Sequence, residues 1–100
     1  MSRAATPPTD PTDPAGVLAG TVRDEWGRLL ALLVAQFRRL DLAEDGLGDA
    51  VEAAARTWPA DGPPDNPAGW LLTAARRRVL DRLRHGAVTD FLDFYLGAHH

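Results

Sequence analysis

Five arginines and one tryptophan are concentrated in the stretch Asn66–His85, whose sequence is NPAGWLLTAARRRVLDRLRH. Guanidinium groups pair with phosphates, and an exposed aromatic ring beside them offers a face on which an unpaired base can stack. At 100° per residue, six side chains share or border one arc of a helix: Trp70, Thr73, Arg77, Arg78, Arg82 and Arg84. Because the only acid in this stretch is Asp81, in a chain of formal net charge −3, these residues indicate binding to single-stranded nucleic acid.

A simpler explanation also fits the same arginines. The outer face of a helix is often only solvated. An i,i+4 pair such as Arg77 and Asp81 stabilises a helix by roughly a few tenths of a kcal/mol. Composition alone does not separate solvation from binding. The position of Trp70 next to the arginines favours binding.

A third helix is predicted to carry these side chains. Asn66-Pro67 is a helix-start signal, because a proline in the first helical position loses no hydrogen bond. The predicted buried stripe consists of Leu72, Ala75, Val79 and Leu83, with Leu80 at its edge. We expect this helix to end after His85, where Gly86 can adopt the left-handed conformation.

A first amphipathic helix is predicted from about Thr21 to Leu40. Thr21 is its expected N-cap, and Arg38 and Arg39 suit the negative end of the helix dipole. Its apolar positions recur at intervals of three and four: Val22, Trp26, Leu29, Leu30, Leu33, Phe37 and Leu40.

A second helix is predicted from Leu42 to Thr57, with Asp41 as its cap. Its apolar stripe consists of Ala43, Leu47, Ala50, Val51, Ala54 and Trp58. Gly46 and Gly48 each weaken it by about 1 kcal/mol relative to alanine. The loop Pro59–Asp65 then leads into the arginine-rich helix.

The expected fold is all-α, a compact three-helix bundle in residues 21–85. Residues 1–20 are predicted to be a disordered, proline-rich tail. Residues 86–100 are predicted to form an apolar tail or a short helix capped by Thr89. Its apolar side chains are Phe91, Leu92, Tyr95 and Leu96, which either pack back on the bundle or mediate self-association.

Several function classes lack support in this sequence. It has no apolar run long enough to span a membrane, no secretory signal and no cysteine, which is typical of a cytoplasmic protein. The three histidines lack metal-ligand spacing, and no catalytic set or phosphate-binding loop is present. Four acids share one face of the second helix: Asp41, Glu44, Asp45 and Asp49. We interpret this face as solvated, and we expect neither enzymatic activity nor a metal or cofactor.

Charge is distributed unevenly along the chain. Seven acids and a single base, Arg56, lie between Asp41 and Asp65, directly before the basic stretch. This asymmetry indicates two different partners, or one polyanion that approaches from one side.

Two segments together resemble region 2 of the extracytoplasmic-function (group 4) sigma factors of bacterial RNA polymerase. They are LDLAEDGLGDAVEAAARTW and, after a Pro/Gly loop, NPAGWLLTAARRRVLDRLR. The resemblance covers about Val22–Arg84 and is more specific in its second half. It implies a compact helical domain that takes part in transcription initiation.

The resemblance implies two binding surfaces. The second helix would dock on the clamp coiled coil of the β′ subunit of RNA polymerase core, through Asp41, Asp45, Leu47, Asp49 and Val51. The loop 59–66 and the third helix would capture the melted −10 promoter element as single-stranded DNA, with Arg77 near a flipped base. Arg78, Arg82 and Arg84 would contact phosphates. An anti-sigma factor is a further partner that the resemblance leaves open.

The chain departs from the family pattern at three places. Gly48-Asp49 stands where the family usually has Gln-Glu, and Arg77 stands where Asn is common. Region 4, which reads the −35 element, has no counterpart after Arg84. We therefore expect an excised fragment or a diverged stand-alone module. The alternative function is a diverged protein-interaction module that does not bind DNA, either a decoy or regulator or a self-associating helical protein.

Overall fold

The computed structural model describes residues 13–96, and the side chains of residues 13–87. This part of the chain forms three helices, α1 (Pro14–Phe37), α2 (Leu40–Asp61) and α3 (Pro67–Leu96), and contains no strand. The expected all-α three-helix bundle is confirmed. No helix in residues 13–96 is long and apolar enough to cross a membrane.

The core lies where the three helices meet. Its buried side chains are Leu29 and Leu33 of α1, Ala43, Leu47, Ala50, Ala54 and Trp58 of α2, and Leu71, Ala75 and Val79 of α3. Each fully buried leucine contributes about 1.5–3 kcal/mol relative to an exposed one. The stripe predicted for α2 is therefore confirmed, apart from Val51, which is half-buried.

Gly46 lies where α2 crosses α3 most closely. A Cβ atom at this position would be 2.8 Å from Val79 Cγ2 and 2.9 Å from the Ala75 carbonyl oxygen. The absence of a side chain therefore lets the two helices approach, and Gly46 is more than a weak point of α2. Gly48 has open space around its Cα atom, so only the helix-propensity cost applies there.

Helix α1 begins and ends earlier than predicted. Asp13 is extended and Pro14 occupies the first turn, so residues 14–20, assigned to a disordered tail, are helical instead. Thr21 is not a cap, because its hydroxyl donates to the Val17 carbonyl at 2.7 Å. At the other end, Arg38 adopts φ 62° in the left-handed region, and its N–H donates to the Val34 carbonyl at 2.7 Å. Residues 1–12 lie outside the described residues.

Helix α2 is longer than predicted at both ends, and Asp41 lies inside its first turn. The Asp41 carboxylate accepts hydrogen bonds from Arg39 Nε at 3.0 Å and Arg39 Nη2 at 2.8 Å, instead of capping the helix. These bonds lower the pKa of Asp41 to about 2. The helix continues past Pro59 to Asp61.

Helix α3 starts as predicted, but its buried face is rotated relative to the predicted stripe. Leu71 joins Ala75 and Val79 in the core, so that one i,i+4 ladder faces α1 and α2. Leu72 is half-buried, whereas Leu80 and Leu83 are 40% and 39% exposed.

The predicted end of α3 at His85 is wrong. The helix continues through Gly86 to Leu96, and no separate helix begins at Thr89. Gly86 does not adopt a positive φ. One glycine costs a helix about 1 kcal/mol, which the turns on either side can offset. The predicted self-association residues Phe91, Leu92, Tyr95 and Leu96 lie outside the residues whose side chains are described.

Candidate nucleic-acid interface

An open groove of about 550 Å³ lies between the loop that follows α2 and the first turns of α3. Its lining residues are Pro64, Asn66, Gly69, Trp70, Thr73, Ala74 and Arg77. The groove therefore brings together three of the six predicted DNA-binding residues, namely Trp70, Thr73 and Arg77. The space between them is open to solvent, so an extended chain could enter from the side.

Glycine and asparagine shape the loop at this groove. Gly62 has φ 82°, a conformation that favours glycine, and its N–H donates to the Trp58 carbonyl at 2.7 Å. Asn66 caps α3, since its Oδ1 accepts from the Gly69 N–H at 3.0 Å. A Cβ at Gly69 would lie 2.6 Å from Asn66 Nδ2, so a larger residue there would displace the Asn66 side chain from this cap geometry. The predicted site included Pro64 and Asn66 only as part of the loop 59–66, and it omitted Gly69, although the spacing Asn-Pro-x-Gly was a usable signal for a capped turn.

Trp70 forms part of the groove wall, and the ring of Trp58 packs against it. Its ring meets Trp58 edge to face, with centroids 5.4 Å apart and an interplanar angle of 75°. Such a pair contributes about 0.5–1.5 kcal/mol beyond burial. The prediction of an exposed indole is corrected by the structure, because Trp70 is half-buried. Its orientation is therefore fixed before any ligand arrives.

Arg77 and Arg78 are the cations that the fold leaves uncommitted on this side of α3. Both are exposed, and neither forms an ion pair or a side-chain hydrogen bond with any residue in the described part of the chain. Arg77 lines the groove, whereas Arg78 lies beside Asp81, Arg82 and His85 in a separate shallow depression. Each has its full set of N–H donors available for a ligand.

Arg82 and Arg84, also predicted to bind DNA, are engaged within the molecule. Arg82 bridges α3 to α2, with Nη1 3.3 Å from Asp45 Oδ2 and Nη2 3.6 Å from Asp49 Oδ2. Arg84 pairs with Asp81 at 3.7 Å, so Asp81 serves Arg84 and not Arg77. Exposed ion pairs of this kind contribute about 0–1 kcal/mol each, so a ligand can compete for these arginines.

Arg76 does not line the groove and instead connects α3 to α1. Its Nε donates to Gln36 Oε1 at 2.9 Å, which links α3 to α1 across the bundle. The predicted site contained neither residue. Nothing in the local sequence pairs two residues that are 40 positions apart, so this contact was not accessible to prediction.

The residues predicted to contact polymerase fall into three groups. Asp41, Asp45 and Asp49 are at the surface but are held by arginines. Leu47 is fully buried, so its side chain is not exposed to a partner in this fold. Leu47 was assigned both to the apolar stripe of α2 and to the polymerase contact. Its burial shows that it is a core residue.

Val51 is the remaining predicted polymerase contact, and it lines an apolar groove of about 470 Å³ between α1 and α2. Leu18, Val22 and Trp58 line the same groove.

Among the described residues, no cluster of three or more histidine, aspartate or glutamate side chains could hold a metal ion.

The chain matches no known family profile and no solved structure. It is 40% identical over 55 residues to an uncharacterized protein of Rhizobium meliloti (strain 1021). The matched segment is 55% of this chain but 13% of that relative, so the chain spans about an eighth of the relative's length. The relative's name carries no function, and the interface is therefore interpreted from its own geometry.

Proposed function

We propose that the chain is a sigma region 2-like module that binds the −10 promoter element as single-stranded DNA and docks on the β′ subunit of RNA polymerase core. The observation that supports this function is the groove beside Trp70, which is lined by the uncommitted Arg77, with the uncommitted Arg78 outside it on the same helix. Binding of single strands needs a stacking surface and cations on a rigid support.

The parts of the groove fit that task. Trp70 is oriented by Trp58, and Thr73 and Arg77 follow it at intervals of three and four along the same face of α3. Asn66 caps the helix and fixes the loop that forms the opposite wall. A base stacked in the groove would place its phosphates within reach of exposed arginine side chains on the outer face of α3.

The charge arrangement assigns unequal roles to the arginines. Arg77 and Arg78 bind a strand without breaking an existing contact, whereas Arg82 and Arg84 must first leave acids. We therefore expect the first two to supply most of the affinity. Docking on polymerase involves the exposed acidic face of α2 and the half-buried Val51, because Leu47 lies in the core.

Binding to a short labelled single strand, measured over a range of salt concentrations, tests the DNA-binding part. Replacing Arg78 by Ala should weaken binding and reduce the slope of log K against log salt by about 0.7, the value for one phosphate contact on a single strand. Arg56→Ala is the matched control, because Arg56 is an exposed arginine on α2 that pairs with Glu52. Equal slopes for the wild type and Arg78→Ala would contradict a phosphate role for Arg78.

Co-elution with RNA polymerase core on a sizing column tests the docking part. Asp49→Arg should abolish co-elution, since it reverses a charge on the proposed contact face. Arg82→Ala removes the same ion pair without changing Asp49 and should co-elute. Loss of co-elution in both variants would mean that the ion pair, and not Asp49 itself, is required.

A protein-interaction module that does not bind DNA is the second candidate. The observation that favours it is the neutralisation of Arg82 by two acids of α2, which removes one predicted DNA contact. Co-elution with core, combined with no measurable single-strand binding at low salt, would support this candidate over the first.

A further inference from the structure

We propose that the groove selects an unstacked guanine over an adenine, and that Arg77 is the residue that makes this selection. The inference rests on the proposed single-strand binding and names the base that the same site prefers. It follows from the hydrogen-bonding groups that the groove has left to offer.

The side chains that line the groove offer free hydrogen-bond donors and almost no free acceptors. The Arg77 guanidinium carries five N–H donors and no acceptor, and it has no partner in the described part of the chain. Asn66 has committed its side-chain oxygen to the Gly69 N–H, which leaves its amide N–H groups for a ligand. None of the seven lining residues is acidic, and the Thr73 hydroxyl can either donate or accept.

Guanine complements this set better than adenine does. Its O6 and N7 atoms are two adjacent acceptors, to which an arginine can donate both bonds of a bidentate pair. Adenine presents N7 beside the N6 amino donor, so one guanidinium N–H would face another N–H group.

Position separates Arg77 from its neighbour. Arg77 lines the groove in which a base would stack on Trp70, whereas Arg78 lies outside it. Arg77 can therefore contact a base edge, while Arg78 can contact only the backbone of a strand that enters the groove. This difference provides the control for the experiment.

The test compares short deoxyadenosine strands that differ only at one central nucleotide, with affinities measured by fluorescence anisotropy on the full chain. The central nucleotides are adenine, guanine, inosine and 7-deazaguanine. The strand with guanine should bind at least about fivefold more tightly than the strand with adenine. This is the smallest difference in affinity expected of one bidentate pair. Inosine keeps O6 and N7 and should match guanine, whereas 7-deazaguanine lacks N7 and should lose most of the preference.

Two substitutions sharpen the result. Arg77→Gln should reverse the preference, because a glutamine amide forms its bidentate pair with adenine N6 and N7. Arg78→Ala should weaken binding to all four strands by the same factor and leave the guanine-to-adenine ratio unchanged. Circular dichroism of both variants, with unchanged helicity, would establish that the effects are local.

The outcomes separate this inference from the proposed function. If the wild type binds all four strands with equal affinity, the guanine preference is wrong and single-strand binding stands. If the wild type binds none of them at low salt, both fail. A guanine preference that persists in Arg77→Gln would overturn the role of Arg77.

Discussion

Helix α3 contains two neighbouring arginine clusters whose surroundings differ. In the first, Arg77 and Arg78 project beside an open groove and have no partner in the described part of the chain. In the second, one turn further on, Arg82 and Arg84 are held by carboxylates at 3.3–3.7 Å. The residue type is the same, so the difference comes from what the fold places opposite each side chain.

This comparison shows how a basic helix can be divided between ligand binding and self-contact. The second cluster lies where α2 and α3 are in close contact, since Gly46 allows their backbones to approach at Ala75 and Val79. Two acids of α2, Asp45 and Asp49, therefore come within reach of Arg82. In the first cluster Arg77 lines the groove on a different face of α3, and none of the groove's lining residues is acidic.

The largest expected effect concerns the close contact that sets the two clusters apart. Gly46→Ala should destabilise the fold by about 1–3 kcal/mol, because its Cβ would overlap Val79 and the Ala75 carbonyl and push α3 away. The change should appear as a lower urea midpoint. Displacement of α3 should also lengthen the contacts of Arg82 with α2.

Gly48→Ala is the matched control in the same helix. Nothing lies within 4 Å of a Cβ at position 48, so alanine should stabilise the protein by up to about 1 kcal/mol through helix propensity. A Gly46→Ala variant as stable as Gly48→Ala would show that the helices can separate without cost.

A smaller effect is expected when the second cluster is made to resemble the first. Changing Asp45 and Asp49 together to Asn should free Arg82 to bind phosphate and make single-strand binding more salt-dependent, by about 0.7 in the slope. In an Arg82→Ala background the same pair of changes should leave the slope unaltered. Glu52→Gln removes an acid that pairs with Arg56 and serves as the charge control. An equal rise in slope in both backgrounds would assign the effect to general charge.

The smallest expected effect concerns an arginine–carboxylate contact away from both clusters. The hydrogen bonds from Arg39 hold the pKa of Asp41 at about 2, below its ordinary value. Because the pKa is lower in the folded state, the stabilisation by this pair is present above about pH 4 and is lost as the pH falls towards 2. An NMR titration of the Asp41 carboxyl carbon should show this midpoint.

Arg39→Gln should raise that midpoint towards the value of a free aspartate, while Arg56→Gln should leave it unchanged. An unshifted midpoint in Arg39→Gln would mean that Arg39 does not hold Asp41 in solution.

Local signals predicted the parts of this fold that depend on neighbours in sequence. The Asn66-Pro67 start of α3 is confirmed because capping involves only residues within one turn. The apolar stripes of α1 and α2 are also confirmed in outline, since a buried stripe requires only helical periodicity, although Leu40 of the first predicted stripe is exposed at the start of α2. Pro14 was an available start signal for α1, and the proline-rich composition around it outweighed that signal.

Long-range contacts account for what the sequence did not reveal. Periodicity placed Leu83 in the core and gave no reason to choose Leu71, because the rotation of α3 is set by where α1 and α2 lie. The acids Asp45 and Asp49 were interpreted as solvated, with a docking role implied by the resemblance, and only the fold brings them to Arg82. The loss of helix stability predicted for Gly46 likewise did not take into account that α3 packs against this residue.

Helix α3 runs without interruption from Pro67 to Leu96. The direction in which residues project at one end is therefore fixed relative to the other end. With a rise of about 1.5 Å and a turn of about 100° per residue, whatever is attached near Leu96 has a fixed orientation relative to the groove. Deleting one residue after Arg84 would rotate that attachment by about 100°, whereas deleting about seven residues would shorten the helix and nearly restore its direction. Because the helix is continuous, the number of residues between Arg84 and Leu96 sets the orientation of one end relative to the other. A flexible joint at Gly86 would have removed this dependence.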